Sequence, residues 1–429
     1  MTSAPRDLLD RLRTDARLAV TMAGELLAAR RARGSVARLL AARGPLPQGR
    51  FDVGVYFADG DINLYQVRQW YRPLAQLART HPVVLLSRTA SAADVLLRES
   101  PIPVAYVRSV ADLESTIASQ PLRVILYVNQ NARNFQMMRY GRRWHVFVNH
   151  GESDKMYMTT NQFKAYDYSL IAGDAALARL HRVLWNYDFE TRALAIGRPQ
   201  ADHFAGDTPF EPDERRVILY APTWEGDRPA AGYGSIRSHG VALVRALLAD
   251  HRFRVVYRPH PRSGAVDSDY AAADREIVAM IASANAADPA ARHVHDTGAE
   301  LGWQLAVADL AVLDVSAMVY DRLATGRPLL VTRPTSSAAD VDESGYLGDA
   351  EWLLAEDAAA VVARIETAEH DTVAIERLQR WVAHYFGDTS PGAATRRFEA
   401  ALEHLLAEWE RHAALHRDDA VIDDHDPEG

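Results

Sequence analysis

The segment Arg258-Pro259-His260-Pro261-Arg262 places a histidine between two arginines and stiffens the chain with two prolines. In an extended segment alternate side chains lie on the same side, so these three cationic or titratable groups can face one ligand together. Guanidinium groups suit the oxygens of a diphosphate. The alternative is a histidine fixed on a surface turn, but the two flanking arginines and the preceding strand-like run favour phosphate binding.

A second histidine occupies a similar position. In Asn149-His150-Gly151 an apolar run ends at the imidazole, and Lys155 follows five residues later. In open parallel sheets ligands bind beyond the carboxyl ends of the strands, which makes His150 a candidate site residue. Gly151 would let the backbone approach a substrate closely.

Two further strand ends are polar. Thr223 and Trp224 follow one apolar run, and Asp314-Val315-Ser316 follows another with the pattern of strand, turn and helix. The hydroxyl of Ser316 and the first N–H groups of the helix can bind a phosphate, although a serine at this place is more often only a helix cap. Thr223, Trp224, Asp314 and Ser316 therefore join the candidate residues.

The sequence argues against several classes of chemistry. The chain has no cysteine, which excludes disulfides, thiolate nucleophiles and cysteine-ligated metals. It also lacks the G-x-x-x-x-G-K-[ST] phosphate loop and the G-x-S-x-G elbow. The acid pairs Asp59-Gly60-Asp61 and Asp267-Ser268-Asp269 and the pair His293-Val294-His295 are short patterns that arise by chance, so we predict neither a metal nor a cofactor.

Short β-branched and aromatic runs alternate with longer segments rich in Ala and Leu, which predicts parallel sheets covered by helices. The runs form two sets, which predicts an α/β protein with two doubly wound domains. The first set is Phe51–Ala58, Val83–Ser87, Val104–Val107, Val124–Val128, Val146–Asn149, Tyr168–Ala172 and Leu194–Gly197; the second is Val217–Pro222, Arg254–Pro259, His293–His295, Leu310–Val315, Leu329–Thr332 and Trp352–Leu354.

Composition divides the chain further. A polar, proline-containing stretch at 207–214 suits a linker between the two sets. We therefore predict five parts: a basic amphipathic helical arm, an acceptor-side domain, a nucleotide-donor domain, a C-terminal helix, and an acidic tail without fixed structure. Their bounds are 1–49, 50–206, 207–390, 391–417 and 418–429.

The formal net charge of −9 argues against nucleic-acid binding by the chain as a whole. Residues 1–49 differ, because their nine arginines and four acids give a net charge of +5. In this arm Leu8, Leu12, Ala16, Ala19, Ala23 and Leu26 follow the spacing of one helix face. The arm would either pack on the body or a partner, or lie on an anionic membrane surface. No apolar run approaches the roughly 20 residues of a spanning helix.

These motifs together resemble one family. "NHGESDK" from Asn149 looks like the HG-x-x-x-K motif of the CDP-glycerol glycerophosphotransferases, the teichoic-acid primases and polymerases. Further matches follow in the family's order over roughly residues 145–397. They are "AIGRPQAD" (195–202), "YAPTWEG" (220–226), "YRPHPR" (257–262), "LDVSAMVYDRLATGRPLL" (313–330) and "YFGDTSPGAATRR" (385–397).

The resemblance implies a GT-B-like fold with two Rossmann-like domains facing across a cleft, no catalytic metal, and CDP-glycerol as donor. It implies His150 as the general base on an acceptor hydroxyl, with His260, Arg258 and Arg262 neutralising the donor diphosphate. Ser316 would hold a phosphate oxygen, Thr223 and Trp224 would line the donor pocket, and Lys155 would add charge or pair with Asp154. The acceptor would be lipid-linked, and the protein would lie in the cytoplasm on the inner face of the membrane. The sequence does not decide whether the protein forms a homo-oligomer.

Two departures from the family pattern bear on the donor. Ala317 stands where a second serine is usual, and Glu152-Ser153 stands where Thr-Pro is usual. These changes leave room for another CDP-linked polyol. The alternatives are a sugar-nucleotide-dependent glycosyltransferase on the same architecture and a non-catalytic nucleotide-binding scaffold.

Overall fold

The structure is a computed structural model that describes Gly24 and residues 27–152, 160–298 and 301–417. Contacts divide the chain into two compact units. One consists of residues 1–150, 165–168 and 403–429, and the other of residues 151–164 and 169–402. The first unit is therefore built from segments far apart in sequence.

The first sheet has seven strands in the order β3-β2-β1-β4-β5-β6-β7. Its pairs are parallel wherever the register is defined, as in Val53↔Val83 between β1 and β2 and Val53↔Val124 between β1 and β4. Every predicted run of the first set contains or overlaps a strand. The strands are β1 Val53–Phe57, β2 Val83–Ser87, β3 Val104–Tyr106, β4 Val124–Tyr127, β5 Trp144–Phe147, β6 Tyr168–Ile171 and β7 Ala193–Ala195.

Helices alternate with these strands, as the sequence predicted. Before β1, residues 27–43 are helical, and we label this helix α1. The others are α2 Leu64–Arg68, α3 Tyr71–Leu77, α4 Ala90–Glu99, α5 Val110–Ser119, α6 Phe135–Met138, α7 Asp174–Val183 and α8 Phe189–Arg192.

The second sheet has six parallel strands in the order β10-β9-β8-β11-β12-β13. The strands are β8 Arg216–Ala221, β9 Phe253–Tyr257, β10 Val294–His295, β11 Leu310–Leu313, β12 Leu329–Thr332 and β13 Trp352–Leu353. The helices of this part are α9 Val241–Leu248, α10 Ser268–Ala287, α11 Trp303–Val307, α12 Ala317–Leu323, α13 Val361–His370, α14 Thr372–Phe386 and α15 Ala393–Leu415.

The second sheet is buried on both faces, because successive side chains of a strand point to opposite sides. Leu219 of β8 packs in one apolar cluster with Val319 of α12 and Leu378 of α14. Its neighbour Tyr220 packs in the other cluster with Leu243 of α9. The α/β prediction of two doubly wound parallel sheets is confirmed.

Each sheet reverses its strand order at one place. In the first sheet the chain runs outward from β1 to β3 and then returns to β4 on the other side of β1; in the second, β8 lies between β9 and β11 in the same way. Ligand sites in doubly wound sheets lie at such switch points, off the carboxyl ends of the strands. The edges after β1 and β4, and after β8 and β11, are therefore the places to search.

The predicted apolar face of the arm, from Leu8 to Leu26, lies outside the described residues. In α1, Val36 is buried, and the Arg43 guanidinium donates a hydrogen bond to the carbonyl oxygen of Val104 in β3. The predicted acidic tail, 418–429, also lies outside the described residues. None of the described helices is long and apolar enough to cross a membrane.

Candidate functional site

His150 lies three residues beyond the end of β5. Asn149 precedes it with a φ of 55°, a conformation that asparagine tolerates better than most residues. The Asn149 side chain accepts a hydrogen bond from the His150 backbone N–H at 2.8 Å, and the backbone carbonyl oxygen of Asn149 accepts one from the Trp70 indole at 2.5 Å. This turn aims the imidazole back toward β4.

The ring of His150 has a defined tautomer. Its Nδ1 lies 2.9 Å from the carbonyl oxygen of Val128, which can only accept a hydrogen bond. The proton of the neutral ring is therefore on Nδ1, and Nε2 carries the lone pair. Tyr65 packs edge-on against the ring, with 5.6 Å between centroids. A histidine held in this way has the correct form for a general base at Nε2.

His260 has the opposite tautomer. The backbone N–H of Arg262 donates to its Nδ1 at 3.1 Å, so the neutral ring carries its proton on Nε2. Burial, with a smaller contribution from the Arg262 charge, lowers the pKa of His260. The lowered pKa favours the neutral ring, whose Nε2–H can donate to a phosphate oxygen.

The two arginines beside His260 lie in different surroundings. The Arg258 guanidinium forms an ion pair with Asp296, and its side chain is only 17% exposed. Arg262 is exposed and stacks on the indole of Trp224, with 3.8 Å from its Cζ to the ring centroid. Arg262 is thus the arginine of this segment whose charge faces solvent.

Asp314 is fully buried and bonded to protein groups. One oxygen accepts from the backbone N–H of Thr223 at 2.8 Å and of Ser235 at 3.0 Å, and the other accepts from the Thr332 hydroxyl at 2.6 Å. Burial raises the pKa of Asp314 to about 6. We assign it a positioning role, because it joins the segment between β8 and α9 to the end of β12.

Three of the remaining predicted residues lie directly after strands of the second sheet or at the start of a helix. Ser316 begins α12, and its hydroxyl accepts from the Met318 N–H at 3.3 Å, so it caps the helix. Thr223 and Trp224 follow β8 at the same sheet edge as His260, and the Thr223 carbonyl accepts from the Tyr270 hydroxyl at 2.6 Å. Lys155 lies outside the described residues.

Glu152, one of the departures from the family pattern, has a partner. Its carboxylate forms a buried ion pair with Arg179, and the two side chains are 8% and 9% exposed. The negative charge that the sequence places beside His150 is therefore compensated within the fold.

Sequence reasoning did not single out Glu225. This carboxylate accepts three backbone N–H groups from the loop after His260, those of Gly264 at 2.9 Å, Val266 at 2.7 Å and Asp267 at 3.1 Å. Burial opposes ionisation, but these hydrogen bonds prevail and lower the pKa of Glu225. The signal available in the sequence was its place directly after Trp224 in the "YAPTWEG" match.

Two of the matched motifs, 195–202 and 385–397, contact each other at the start of α15. Asp202 of "AIGRPQAD" accepts from the backbone N–H of Gly392 at 3.2 Å and of Thr395 at 2.6 Å, so it caps α15 from a distant segment. Gly197 of the same motif has a φ of +73°, and a Cβ there would lie 2.2 Å from a guanidinium nitrogen of Arg397. These residues hold the start of α15 in place.

The acid and histidine pairs also have structural roles. Asp267 caps α10 by accepting from the N–H groups of Asp269 at 2.8 Å and Tyr270 at 3.3 Å. His293 accepts at Nδ1 from the Val255 N–H at 3.1 Å, and burial lowers its pKa to about 4. Asp59 accepts hydrogen bonds from the side-chain amides of Asn129 and Asn131.

Solved structures with a similar fold include TagF, a wall teichoic acid polymerase. Two TagF structures match 94% of this chain and 98% of their own at 12% identity, with TM-scores of 0.53 and 0.54. A UDP-N-acetylglucosamine 2-epimerase matches 84% of this chain and 97% of its own at 12% identity, with a TM-score of 0.53. The predicted GT-B-like class is confirmed. Likeness at this identity shows the fold and leaves the substrate open.

No family model matches the sequence, and no curated protein matches it.

Proposed function

We propose that this protein is a transferase that moves glycerol phosphate, or a related polyol phosphate, from a CDP-linked donor to a hydroxyl of a lipid-linked acceptor. The proposal places it in the CDP-glycerol glycerophosphotransferase family, on the inner face of the membrane, in synthesis of a teichoic-acid-type polymer. TagF, whose fold is similar, is by name a polymerase of this kind.

The observation that carries the proposal is the opposite tautomers of the two histidines. Transfer to a hydroxyl needs a base that accepts its proton and a donor that stabilises charge on the leaving phosphate. His150 offers a lone pair at Nε2 because Val128 holds its Nδ1 proton. His260 offers an Nε2–H because Arg262 donates to its Nδ1.

The two proposed roles give a balanced reaction. As the acceptor oxygen attacks the β-phosphorus of the CDP-polyol, which carries the polyol, its proton passes to Nε2 of His150. The bond between that phosphorus and the bridging oxygen breaks, and CMP leaves with the electron pair. The Nε2–H of His260 and the exposed guanidinium of Arg262 would stabilise the charge on the phosphates. No metal is needed for this scheme.

The first test identifies the nucleotide that the purified protein releases from CDP-glycerol, CDP-ribitol and common UDP-sugars, each with a membrane-lipid extract. CMP from a CDP-alcohol is the expected result. UDP from a UDP-sugar would overturn the phosphotransfer and favour the glycosyltransferase alternative. Nucleotide binding without turnover of any donor would favour the scaffold.

A pair of glutamine variants tests the two roles separately. His260→Gln keeps an N–H near the position of Nε2, so it should retain more activity than His260→Ala. His150→Gln cannot accept a proton, so it should be as inactive as His150→Ala, by about 10²–10⁴-fold in kcat. Donor affinity of the His150 variants should be unchanged in calorimetry. Equal losses for both glutamine variants would contradict the assigned roles.

A further inference from the structure

A cluster of one carboxylate and three amides lies at the switch point of the first sheet. We call Asp59, Gln66, Asn129 and Asn131 the amide cluster. The two oxygens of Asp59 accept from the side-chain amides of Asn129 and Asn131, each at 2.7 Å, and Gln66 accepts from the Asn129 amide at 2.7 Å. Asn129 and Gln66 are buried, whereas Asp59 and Asn131 are half-buried.

The amide cluster borders His150. Asn129 directly follows Val128, whose carbonyl oxygen holds the His150 ring. Gln66 donates to the Tyr65 hydroxyl at 3.3 Å, and the half-exposed Tyr65 ring packs against the same imidazole. The cluster, the aromatic ring and the histidine therefore form one continuous surface at the carboxyl ends of β1, β4 and β5.

The charges of this surface select the ligand. Neutral amides cannot cancel the negative charge of Asp59, so a phosphate group beside it would be repelled. Arg133 is a cation near Asp59, but among the described contacts its guanidinium donates to the Ala58 carbonyl oxygen, at 3.5 Å, and not to the Asp59 carboxylate. A carboxylate and amides bind hydroxyl groups well, and a half-exposed tyrosine ring covers the apolar face of a sugar or polyol.

We propose that the amide cluster and Tyr65 form the acceptor site, and that the group bound there is neutral and polyhydroxylated, a sugar or free polyol, and not a phosphate-bearing chain end. The inference rests on the proposed function in naming the bound group the acceptor and His150 the base. Asp59 would accept hydrogen bonds from acceptor hydroxyls and present one of them to Nε2 of His150. The protein would then act at the first step on a neutral glycan end and not on a chain that already carries polyol phosphates.

The test is a binding measurement without any donor, so its result does not depend on the transfer chemistry. A short-chain alkyl glucoside and the same glucoside with a terminal phosphate are titrated into the full-length protein and followed by saturation-transfer NMR. The wild type should bind the neutral glucoside at least 10-fold more tightly. Asp59→Asn removes the charge and should abolish this preference.

Two further variants guard against a folding artefact. Asp61→Asn changes an exposed carboxylate two residues away and should leave the preference intact. Tyr65→Ala removes a half-exposed ring and should weaken both ligands without lowering the thermal midpoint. Equal binding of the two ligands, tighter binding of the phosphorylated one, an unchanged preference in Asp59→Asn, or no binding of either ligand would overturn the inference.

Discussion

At the residue scale, hydrogen-bond partners decide what each titratable side chain can do. His150 and His260 are the same residue type at equivalent sheet edges, yet one is held by an acceptor and the other by a donor. In their neutral forms one ring therefore presents an acceptor nitrogen and the other an N–H donor, a difference that the letters of the sequence do not show. Asp314, also at a sheet edge, is enclosed by the loops that it joins.

Asp314 gives a prediction about the pH dependence of stability. Burial raises its pKa in the folded protein above that of the unfolded chain. Below about pH 4 its carboxyl is protonated in both states, and it contributes its full stability. As pH rises through about 6, the unfolded chain gains more from ionisation, so this contribution is lost.

Asp314→Asn cannot ionise, and its amide can still accept from the two N–H groups and donate to the Thr332 hydroxyl. Relative to wild type, its unfolding free energy should rise by about 2–4 kcal/mol between pH 4 and pH 7. Urea unfolding at both pH values measures this. The matched control is Asp250→Asn, because Arg252 lowers the pKa of Asp250 to about 2 and little should change in the same window. Parallel pH profiles for wild type and Asp314→Asn would contradict the prediction.

At the element scale, loops are fixed by carboxylates that accept backbone N–H groups. Asp202 caps α15, and Asp314 joins the loop after β8 to the segment before α9. Glu225 likewise accepts backbone N–H groups and so fixes the loop at 261–267 after His260. These carboxylates act through the segments that they position.

Glu225 gives a prediction about the neighbouring histidine. Its negative charge raises the pKa of His260 against the larger lowering effects of burial and Arg262. Glu225→Gln retains an acceptor oxygen but removes the charge, so NMR titration should show a lower pKa for His260. Glu225→Ala should also free the loop and cost about 1–3 kcal/mol of unfolding free energy.

The control for this pair is Glu211→Gln, an exposed acid before β8. It should change neither the His260 pKa nor the unfolding free energy. An unchanged His260 pKa in Glu225→Gln would show that Glu225 does not act on this ring.

At the scale of the whole molecule, the second half of α15 contributes to the first unit. The Trp409 indole donates to the Arg142 carbonyl oxygen at 2.7 Å, Glu410 pairs with Arg123 at 3.0 Å, and the His412 ring packs edge-on against Trp144. Residues 403–417 therefore contribute to a unit whose strands lie more than 250 residues earlier.

Leu405→Ala should destabilise the protein by about 2–5 kcal/mol, because Leu405 has no exposed surface and its loss leaves a cavity. Leu415→Ala in the same helix should change the unfolding free energy by less than about 0.5 kcal/mol, since Leu415 is 67% exposed. Chemical unfolding followed by tryptophan fluorescence measures both. Equal effects would show that the second half of α15 adds nothing to the unit.

The sequence by itself determined the strands and their two sets. Each predicted run contains or overlaps an observed strand, and two, Val83–Ser87 and Leu329–Thr332, have the predicted bounds. This succeeded because buried parallel strands must be apolar over several successive residues, a local pattern that needs no knowledge of the partners. The polar residues at the strand ends could also be predicted, because each directly follows such an apolar run.

Only the tertiary structure decided the roles at those ends. The tautomer of His150 depends on Val128, 22 residues away, and the burial of Asp314 depends on Thr223, 91 residues away. The amide cluster joins Asp59 to Asn129 across 70 residues, and Asp202 reaches the start of α15 across 193. A local pattern carries no record of such contacts, because the fold alone brings these hydrogen-bond partners together.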